Sequence, residues 1–382
     1  MADTDLLVIG AGPYACSAAA HAKARGISTR IVGRPMSFWR DQMPADMFLR
    51  SGRDWSLDAD GEHSFAAYFE ERGYGPDEHD PIPIAVFLDH AEWFREQKGL
   101  QVEEVLVESV AHTDRGFEAA MSDGSTVTAT KVLAAPGIAH FAQLPEWYDE
   151  VPADRRSHTS ERVAFDDLAG ARVAIIGGRQ SAYEWAALLC DHGAARVDVV
   201  HRHDTPAFAK VSWAFVDPYV EQTLAHRGWW RTLPEARRQG IAREFWQVGR
   251  LTLEPWLTPR LAPGVVRPRP RTHVTAVDAT DAGVVRLTLS DGDLLEVDHV
   301  IAASGYRADL PAVPYLAGVL DQPSGRSVSV TDGFPDLSPG FETTLPGLYV
   351  TGFAATRDFG PFYGFTKGCP SAARIAVAEM LR

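Results

Sequence analysis

One pattern occurs twice in this 382-residue chain, and few folds accommodate it. Each copy opens with an apolar run that enters a glycine turn, Leu6-Leu7-Val8-Ile9-Gly10-Ala11-Gly12 and Val173-Ala174-Ile175-Ile176-Gly177-Gly178-Arg179. An alanine-rich helix follows, Tyr14 to Ala24 and Ser181 to Cys190, and then a second strand ending at Gly33-Arg34 and His201-Arg202. Later each copy has an Asp-Gly hairpin turn, Asp123-Gly124 and Asp291-Gly292, and an apolar strand ending at Gly137 and Gly305. Gly10 and Gly177 are 167 positions apart, while Arg34/Arg202, Asp123/Asp291 and Gly137/Gly305 are each 168 apart. Landmarks held in register over that distance indicate two βαβ nucleotide-binding units. The expected fold is α/β, with two Rossmann-like three-layer dinucleotide-binding domains that each carry a small antiparallel β insert. The first domain is expected from 1–155 and 300–382, and the second from 156–299. A tryptophan-rich stretch at about 211–270 (Trp213, Trp229, Trp230, Trp246, Trp256) has helical spacing around Pro234 to Arg250 and suits a lid or substrate wall. In the tail, Leu348 to Gly352 reads as a buried strand and Ser371 to Leu381 as a closing helix.

Composition narrows the function. With 37 basic and 51 acidic residues the chain carries a formal charge of −14, which a phosphate backbone repels, so nucleic acid is not an expected partner. The cysteines, Cys16, Cys190 and Cys369, are far apart in sequence, which excludes a disulfide framework, a Cys-rich zinc site and C-x-x-C redox chemistry. The thirteen histidines show neither H-x-x-x-H nor H-E-x-x-H spacing, so no metal is expected. His201 and His203 read as a solvated pair at a strand end. No run of about 18 apolar residues is present to span a bilayer. The first strand begins almost at Met1, leaving no room for a targeting peptide. The expectation is a soluble, cytoplasmic protein without a membrane partner, its oligomeric state unspecified.

Each glycine turn is a candidate anion site. Gly10-Ala11-Gly12-Pro13-Tyr14-Ala15 is a G-x-G-x-x-A turn. Gly10 permits the sharp fold, Gly12 lacks the Cβ that would block a diphosphate, and Ala15 lets helix and strand pack closely while the helix start offers free N–H groups. The acidic ribose partner usual about 20 residues on is replaced by Gly33 and Arg34. In the second turn, Gly177-Gly178-Arg179-Gln180-Ser181, an arginine stands where the middle glycine belongs, able either to crowd a diphosphate or to turn outward and contact it. Arg202, ending the next strand, suits the 2′-phosphate of NADPH and disfavours NAD.

These residues resemble the two-dinucleotide-domain flavoproteins, and among them the flavin-dependent (class B type) monooxygenases. The resemblance spans nearly the whole chain. It rests on Gly10-Ala11-Gly12, Phe38-Trp39-Arg40 with Met43-Pro44, Val173 to Glu184, Ala303-Ser304-Gly305-Tyr306-Arg307 (similar to the family's A-T-G-Y element), and Gly347 to Phe353. His158-Thr159 stands where the family's fingerprint has H-S, but Pro152 and Asp154 replace its phenylalanine and glycine. No tryptophan follows His158 at the Baeyer–Villiger spacing, which disfavours that branch, and the missing C-x-x-C separates the chain from disulfide reductases of the same architecture. The resemblance implies FAD on the first turn, held by Gly10, Gly12, Pro13, Tyr14, Ala15, Gly33, Arg34, Trp39, Arg40, Met43, Arg50, Val110, Gly137, Gly352, Phe353 and Thr366. It implies NADPH on the second, held by Gly177, Gly178, Arg179, Gln180, Ser181 and Arg202, with Ser304, Gly305 and Tyr306 as further cofactor-binding residues. A helix starting near Pro370 would turn its positive end towards the flavin.

The activity so implied is monooxygenation of a small organic substrate: NADPH reduces FAD, O2 adds at flavin C4a, and the resulting (hydro)peroxide oxygenates the substrate. Arg50, Arg357, Asp358 and Tyr363 are the candidate side chains at the flavin edge, with Phe359 and Phe362 as apolar walls. An FAD-dependent dehydrogenase or oxidase with an impaired NADPH site, and a non-catalytic flavin-binding sensor, stay open beside it.

Overall fold

The computed structural model of the protein describes residues 2–279, 283–320 and 327–382. Its first sheet runs in the order Val102–Glu103, Thr29–Val32, Thr4–Ile9, Thr126–Ala134 and Leu348–Val350, all parallel. Its second runs Val266–Arg269, Arg196–Val200, Arg172–Ile176, His299–Ala302 and Arg156–His158, again all parallel. The central strands are apolar on both faces because helices and inserts cover both; Leu6, Leu7 and Val8 are fully buried, as are Val173, Ala174 and Ile175. The doubled α/β architecture expected from the repeat is therefore present. The fifth position is filled differently in the two sheets: by a strand from the tail in the first, and by a strand that precedes the unit in the second.

Both antiparallel inserts form as expected. In the first, Val107–Thr113 pairs with Gly116–Met121, which pairs with the start of Thr126–Ala134. In the second, Val274–Ala279, Val285–Leu289 and Leu294–Val297 make a three-stranded sheet. The turn glycines Gly124 and Gly292 both adopt positive φ, +83° and +91°.

The tryptophan-rich stretch contains helices Asp217–Ala225 and Glu235–Glu244, followed by a π-helical turn at Phe245–Arg250. Although it lies within the second unit in sequence, its buried Val216, Trp230, Ile241 and Phe245 belong to the hydrophobic core of the first. The tail draws it there. Trp230 Nε1 donates to the Arg357 carbonyl at 3.0 Å, and Lys367 Nζ meets Asp217 at 2.8 Å.

Candidate functional site

The two glycine turns are superimposable in their constraints. Gly10 has φ +109° and Gly177 φ +142°, conformations that L side chains avoid. A Cβ on Gly10 would come 2.6 Å from the Ala135 carbonyl oxygen, and one on Gly177 would come 2.3 Å from that of Ala303. Each turn is thus pressed against the end of the equivalent neighbouring strand. Gly12 and Arg179 then cap the helices Pro13–Ala24 and Gln180–Asp191 with the same extended backbone, φ/ψ −85°/−172° and −107°/−171°.

The side-chain environment separates them. A Cβ on Gly12 would meet nothing within 4 Å, and the N–H groups of Tyr14 and Ala15 have no acceptor among the described residues. The space in front of this helix start is open to a group as close as van der Waals contact with the backbone, which fits a diphosphate. Gly33 closes the turn from below: its own Cβ would sit 3.2 Å from Gly10 Cα.

Tyr14 gathers the tail around that turn. Its hydroxyl donates to the carbonyls of Phe365 (2.8 Å) and Tyr363, its ring faces Gly352, and Gly368 approaches so closely that a Cβ there would lie 2.6 Å from the hydroxyl oxygen. Burial pushes the Tyr14 phenol well above its ordinary pKa, so it stays a donor. Gly368 caps the helix Cys369–Met380, which brings that helix's start, with Pro370 in its first turn, beside the first turn. Phe353 and Thr366 lie in the same neighbourhood, Phe353 against Gly364 and Thr366 opening the short turn before the helix.

The second turn carries cations. The Arg179 side chain turns outward and lays its guanidinium over the Trp246 ring, 4.2 Å from the centroid. Partial burial and the charge of Arg202 lower its pKa. Arg202 is exposed, and among the described residues neither arginine has an ion pair. Gln180 is buried and its Oε1 accepts from the Glu254 N–H at 3.0 Å, whereas Ser181 is exposed at the helix start. His201 is not the solvated residue expected. It is only 4% exposed, with its ring against Gly178, where a Cβ would lie 2.3 Å away, and its Nε2 3.1 Å from the Tyr183 hydroxyl. His203 stacks on it at 4.7 Å.

The two units meet where their equivalent strand ends run side by side. Gln143 N donates to the Gly305 carbonyl at 2.8 Å and Ser304 Oγ donates to the Gln143 carbonyl, so the segment after Gly137 is tied to the one after Ala303. Tyr306 packs between Phe38 (6.1 Å) and His158 (5.3 Å), and burial pushes its phenol up to about 12. Burial also lowers the pKa of His158.

The short helix Ser37–Asp41, which bears Trp39 and Arg40, begins at Met36, whose N–H donates to the Ala11 carbonyl of the first turn at 3.1 Å. Trp39 packs on Phe87 at 4.5 Å, Arg40 is exposed, and Met43 lies between the cores of the two units. Arg34 reaches Asp41 at 3.3 Å on the surface. Val110 pairs with Ala119 inside the antiparallel insert and its carbonyl abuts Gly318, which takes it away from the first turn. The residue the sheet brings there is Glu103, whose carbonyl accepts the Gly33 N–H at 3.0 Å.

The four side chains expected at the flavin edge all have protein partners. Arg50 donates to Glu254 (3.0 Å), the Gly249 carbonyl (2.8 Å) and Thr252 (3.1 Å). Arg357 pairs with Asp336 at 2.6 Å and with Asp358 at 3.1 Å, and Asp358 accepts the Leu337 N–H at 3.0 Å. Tyr363 is fully buried and its hydroxyl accepts from Ser371 Oγ at 3.0 Å. The sequence reading missed three charged residues close by: Glu254 and Glu184, both buried, and Arg250. Among the described residues, Asp58, Glu62 and His63 lie within reach of one ion, but Asp58 already accepts three backbone N–H groups and pairs with Lys98 at 2.9 Å.

The chain is 27% identical over 353 residues to the FAD-dependent urate hydroxylase of Xanthomonas campestris pv. campestris, covering 84% of this chain and 71% of that one. It is 26% identical to the indole-3-pyruvate monooxygenase YUCCA1 of Oryza sativa subsp. japonica, covering 91% and 86%. The ornithine N-hydroxylase of Kutzneria sp. 744, in a structure described as holding FADred, NADP+ and L-orn, superposes with a TM-score of 0.80 at 16% identity, covering 99% of each chain. No helix among the described residues is long and apolar enough to cross a membrane. Residues 4–230 match the family described as pyridine nucleotide-disulphide oxidoreductase, although the three cysteines here are free. The chain belongs to the pyridine nucleotide-disulphide oxidoreductase family.

Proposed function

We propose that the protein is a monooxygenase that uses FAD, NADPH and O2 to oxygenate a small organic substrate. The observation that carries this reading is the contrast between the turns. The first is bare at Gly12 and lined by backbone N–H groups, while the second presents Arg179 and Arg202 without carboxylate partners among the described residues. The names of the relatives agree: the urate hydroxylase is FAD-dependent, and the indole-3-pyruvate enzyme is a monooxygenase.

On this reading the first domain, 1–155 with the residues after the strand His299–Ala302, which the second sheet claims, holds FAD at the Gly10–Ala15 turn. The helix Cys369–Met380 supports it with a positive end brought in through Gly368 and Tyr14. The second domain, which runs from 156 to 302 because the strand His299–Ala302 completes its sheet, holds NADPH, with Arg202 on the 2′-phosphate and Arg179 on the diphosphate. Bound FAD supplies the redox chemistry, accepting hydride from NADPH and passing electrons to O2. The chain's own residues bind, orient and exclude water. Phe245, Phe365 and Trp213 form an aromatic wall with centroid separations of 5.3 to 5.8 Å between the turns. Arg50, Arg357 and Asp358 act as positioning residues: Arg50 ties the first unit to the insert, and the Arg357–Asp358 pair holds the stretch Asp336-Leu337 to the segment carrying Phe359 and Tyr363.

The test is a purified protein assayed for bound FAD, then for NADPH oxidation under 18O2 across amines, thioethers, phenols and indoles. A yellow protein that transfers one labelled oxygen atom into a coupled product is expected. A colourless protein that refuses FAD, or one that turns over NADPH to peroxide with every substrate, overturns the reading.

A further inference from the structure

Arg179 stands where a dinucleotide turn ordinarily has a glycine, and its surroundings act against a cation there. It caps the start of the helix Gln180–Asp191, the positive end of the helix dipole. Partial burial and the charge of Arg202 lower its pKa, and Arg179 in turn contributes, after burial, to lowering that of Arg250 to about 9. Among the described residues no carboxylate pairs with it.

The group that receives its charge is an aromatic face. The Arg179 guanidinium carbon lies 4.2 Å from the Trp246 centroid, well within cation–π range. The ring is shared, because the Arg250 guanidinium carbon lies 5.4 Å from the same centroid. Arg250 has a second face to rest on, Phe365 at 5.0 Å, whereas the Arg179 guanidinium has Trp246 alone among the described residues. Trp246 does not belong to the second turn. It is the second residue of the π-helical turn Phe245–Arg250, and its neighbour Phe245 is buried in the core of the first unit. The indole itself is 37% exposed, so the insert is anchored by Phe245 while Trp246 is left to meet Arg179. A diphosphate seated against the helix start offers the same guanidinium charged oxygens, a stronger partner than a ring face. Moving onto it also takes Arg179 away from the cation with which it shares the ring.

We propose that Trp246 is a positioning residue that competes with NADP(H) for Arg179: the ring holds the guanidinium off the diphosphate and recaptures it on release. The cofactor then binds more weakly and leaves faster than it does with Arg179 unrestrained. This rests on the reading that the second unit binds NADPH. A ligand whose arginine partner is engaged elsewhere loses affinity in proportion to the fraction so engaged, and for a part-exposed cation–π contact the loss is about fivefold.

Calorimetric titration of the FAD-loaded protein with NADP+ and with adenosine 2′-monophosphate tests the competition. The monophosphate keeps the group assigned to Arg202 and lacks the diphosphate. Trp246→Leu is expected to bind NADP+ about fivefold more tightly than the wild type, with its affinity for the monophosphate unchanged. Trp246→Phe, which keeps a ring of weaker face, should gain about twofold and supplies the test if the leucine variant does not fold. In an Arg179→Gln background neither substitution should alter the affinity for NADP+. An unchanged affinity in Trp246→Leu overturns the proposal. So does a weaker one, since the ring would then orient Arg179 or bear the nucleotide itself, and so does a gain that persists without Arg179 or extends to the monophosphate. Each of these leaves NADPH binding in place. Failure of every one of the proteins to bind NADP+ overturns the NADPH reading, and the proposal with it.

Discussion

Glu184 offers the sharpest test of how the two units are held together. It lies on the helix of the second turn, is 1% exposed, and accepts the backbone N–H of Phe48, in the first unit, at 3.1 Å. Burial raises its pKa from the ordinary 4.5 to about 7, partly offset by the Phe48 N–H and by the charges of Arg260 and Arg50. The folded state therefore holds this proton more tightly than the unfolded chain does. The associated stability is fully present below pH 4.5 and is lost as pH rises through about 7. At about 1.4 kcal/mol per unit, the loss is on the order of 3 kcal/mol. Glu184→Gln keeps an acceptor for Phe48 and removes the ionisation. The variant should lie within about 1 kcal/mol of the wild type at pH 5 and exceed it by about 3 kcal/mol at pH 8, roughly 4 °C in Tm for a chain of this length. Thermal unfolding of both proteins from pH 5 to pH 8 measures it. Since other groups titrate equally in the two, the difference curve isolates Glu184. Parallel profiles would refute the reasoning, and a variant less stable at every pH would mean that the carboxylate is wanted in its charged form.

Substitutions at four further positions probe the site. Gly10→Ala should destabilise the fold by several kcal/mol, on the order of 3, because its Cβ meets the Ala135 carbonyl at 2.6 Å at a positive φ, whereas Gly12→Asp should keep the apo-protein's Tm and lose FAD; loss of FAD in neither, measured by absorbance, would remove the first turn from the site. Arg179→Gln should weaken NADPH about tenfold in fluorescence titration, and tighter binding would show that the side chain obstructs. Arg50→Met should cost about 3 kcal/mol in denaturant unfolding by stranding buried Glu254, with Arg50→Met/Glu254→Gln recovering most of it; equal losses in single and double variants would count against an energetic role for the pair.

What the sequence disclosed was whatever the backbone dictates locally. Gly10 and Gly177 face the carbonyls of Ala135 and Ala303 because a sharp strand-to-helix turn must pass beside the next parallel strand, a requirement written in the glycine itself. The repeat register also held more than was taken from it: Gly33 and His201 are 168 positions apart, so the ring filling the second turn was legible as the counterpart of a bare glycine. Val110 was misplaced because the strand at Val102–Glu103 contributes only two residues to the sheet, too short to mark where the chain leaves the turn for the insert. Arg250 was invisible for another reason. It lies against the Phe365 ring, 115 positions away, a contact that no spacing rule records.

The two turns began as one pattern and differ most at two places, and those places separate two kinds of binding. At the first turn, Gly12 and Gly33 leave only backbone within reach, so a diphosphate there meets N–H groups that need no rearrangement. Tyr14 and the start of the Cys369–Met380 helix close over the same spot from the tail, so release requires part of the fold to move. At the second turn, Arg179 occupies the position of Gly12 and His201 that of Gly33. Arg202 there is exposed and screened by solvent, and Arg179, partly buried over Trp246, sits on a side chain that can swing between that ring and a phosphate. Backbone contacts in a closed cradle favour a resident nucleotide, and solvated arginine contacts favour one that exchanges at each turnover. On the proposed reading the repeat divides its roles by side chains at two positions while keeping the backbone, whose cap dihedrals match at Gly12 and Arg179.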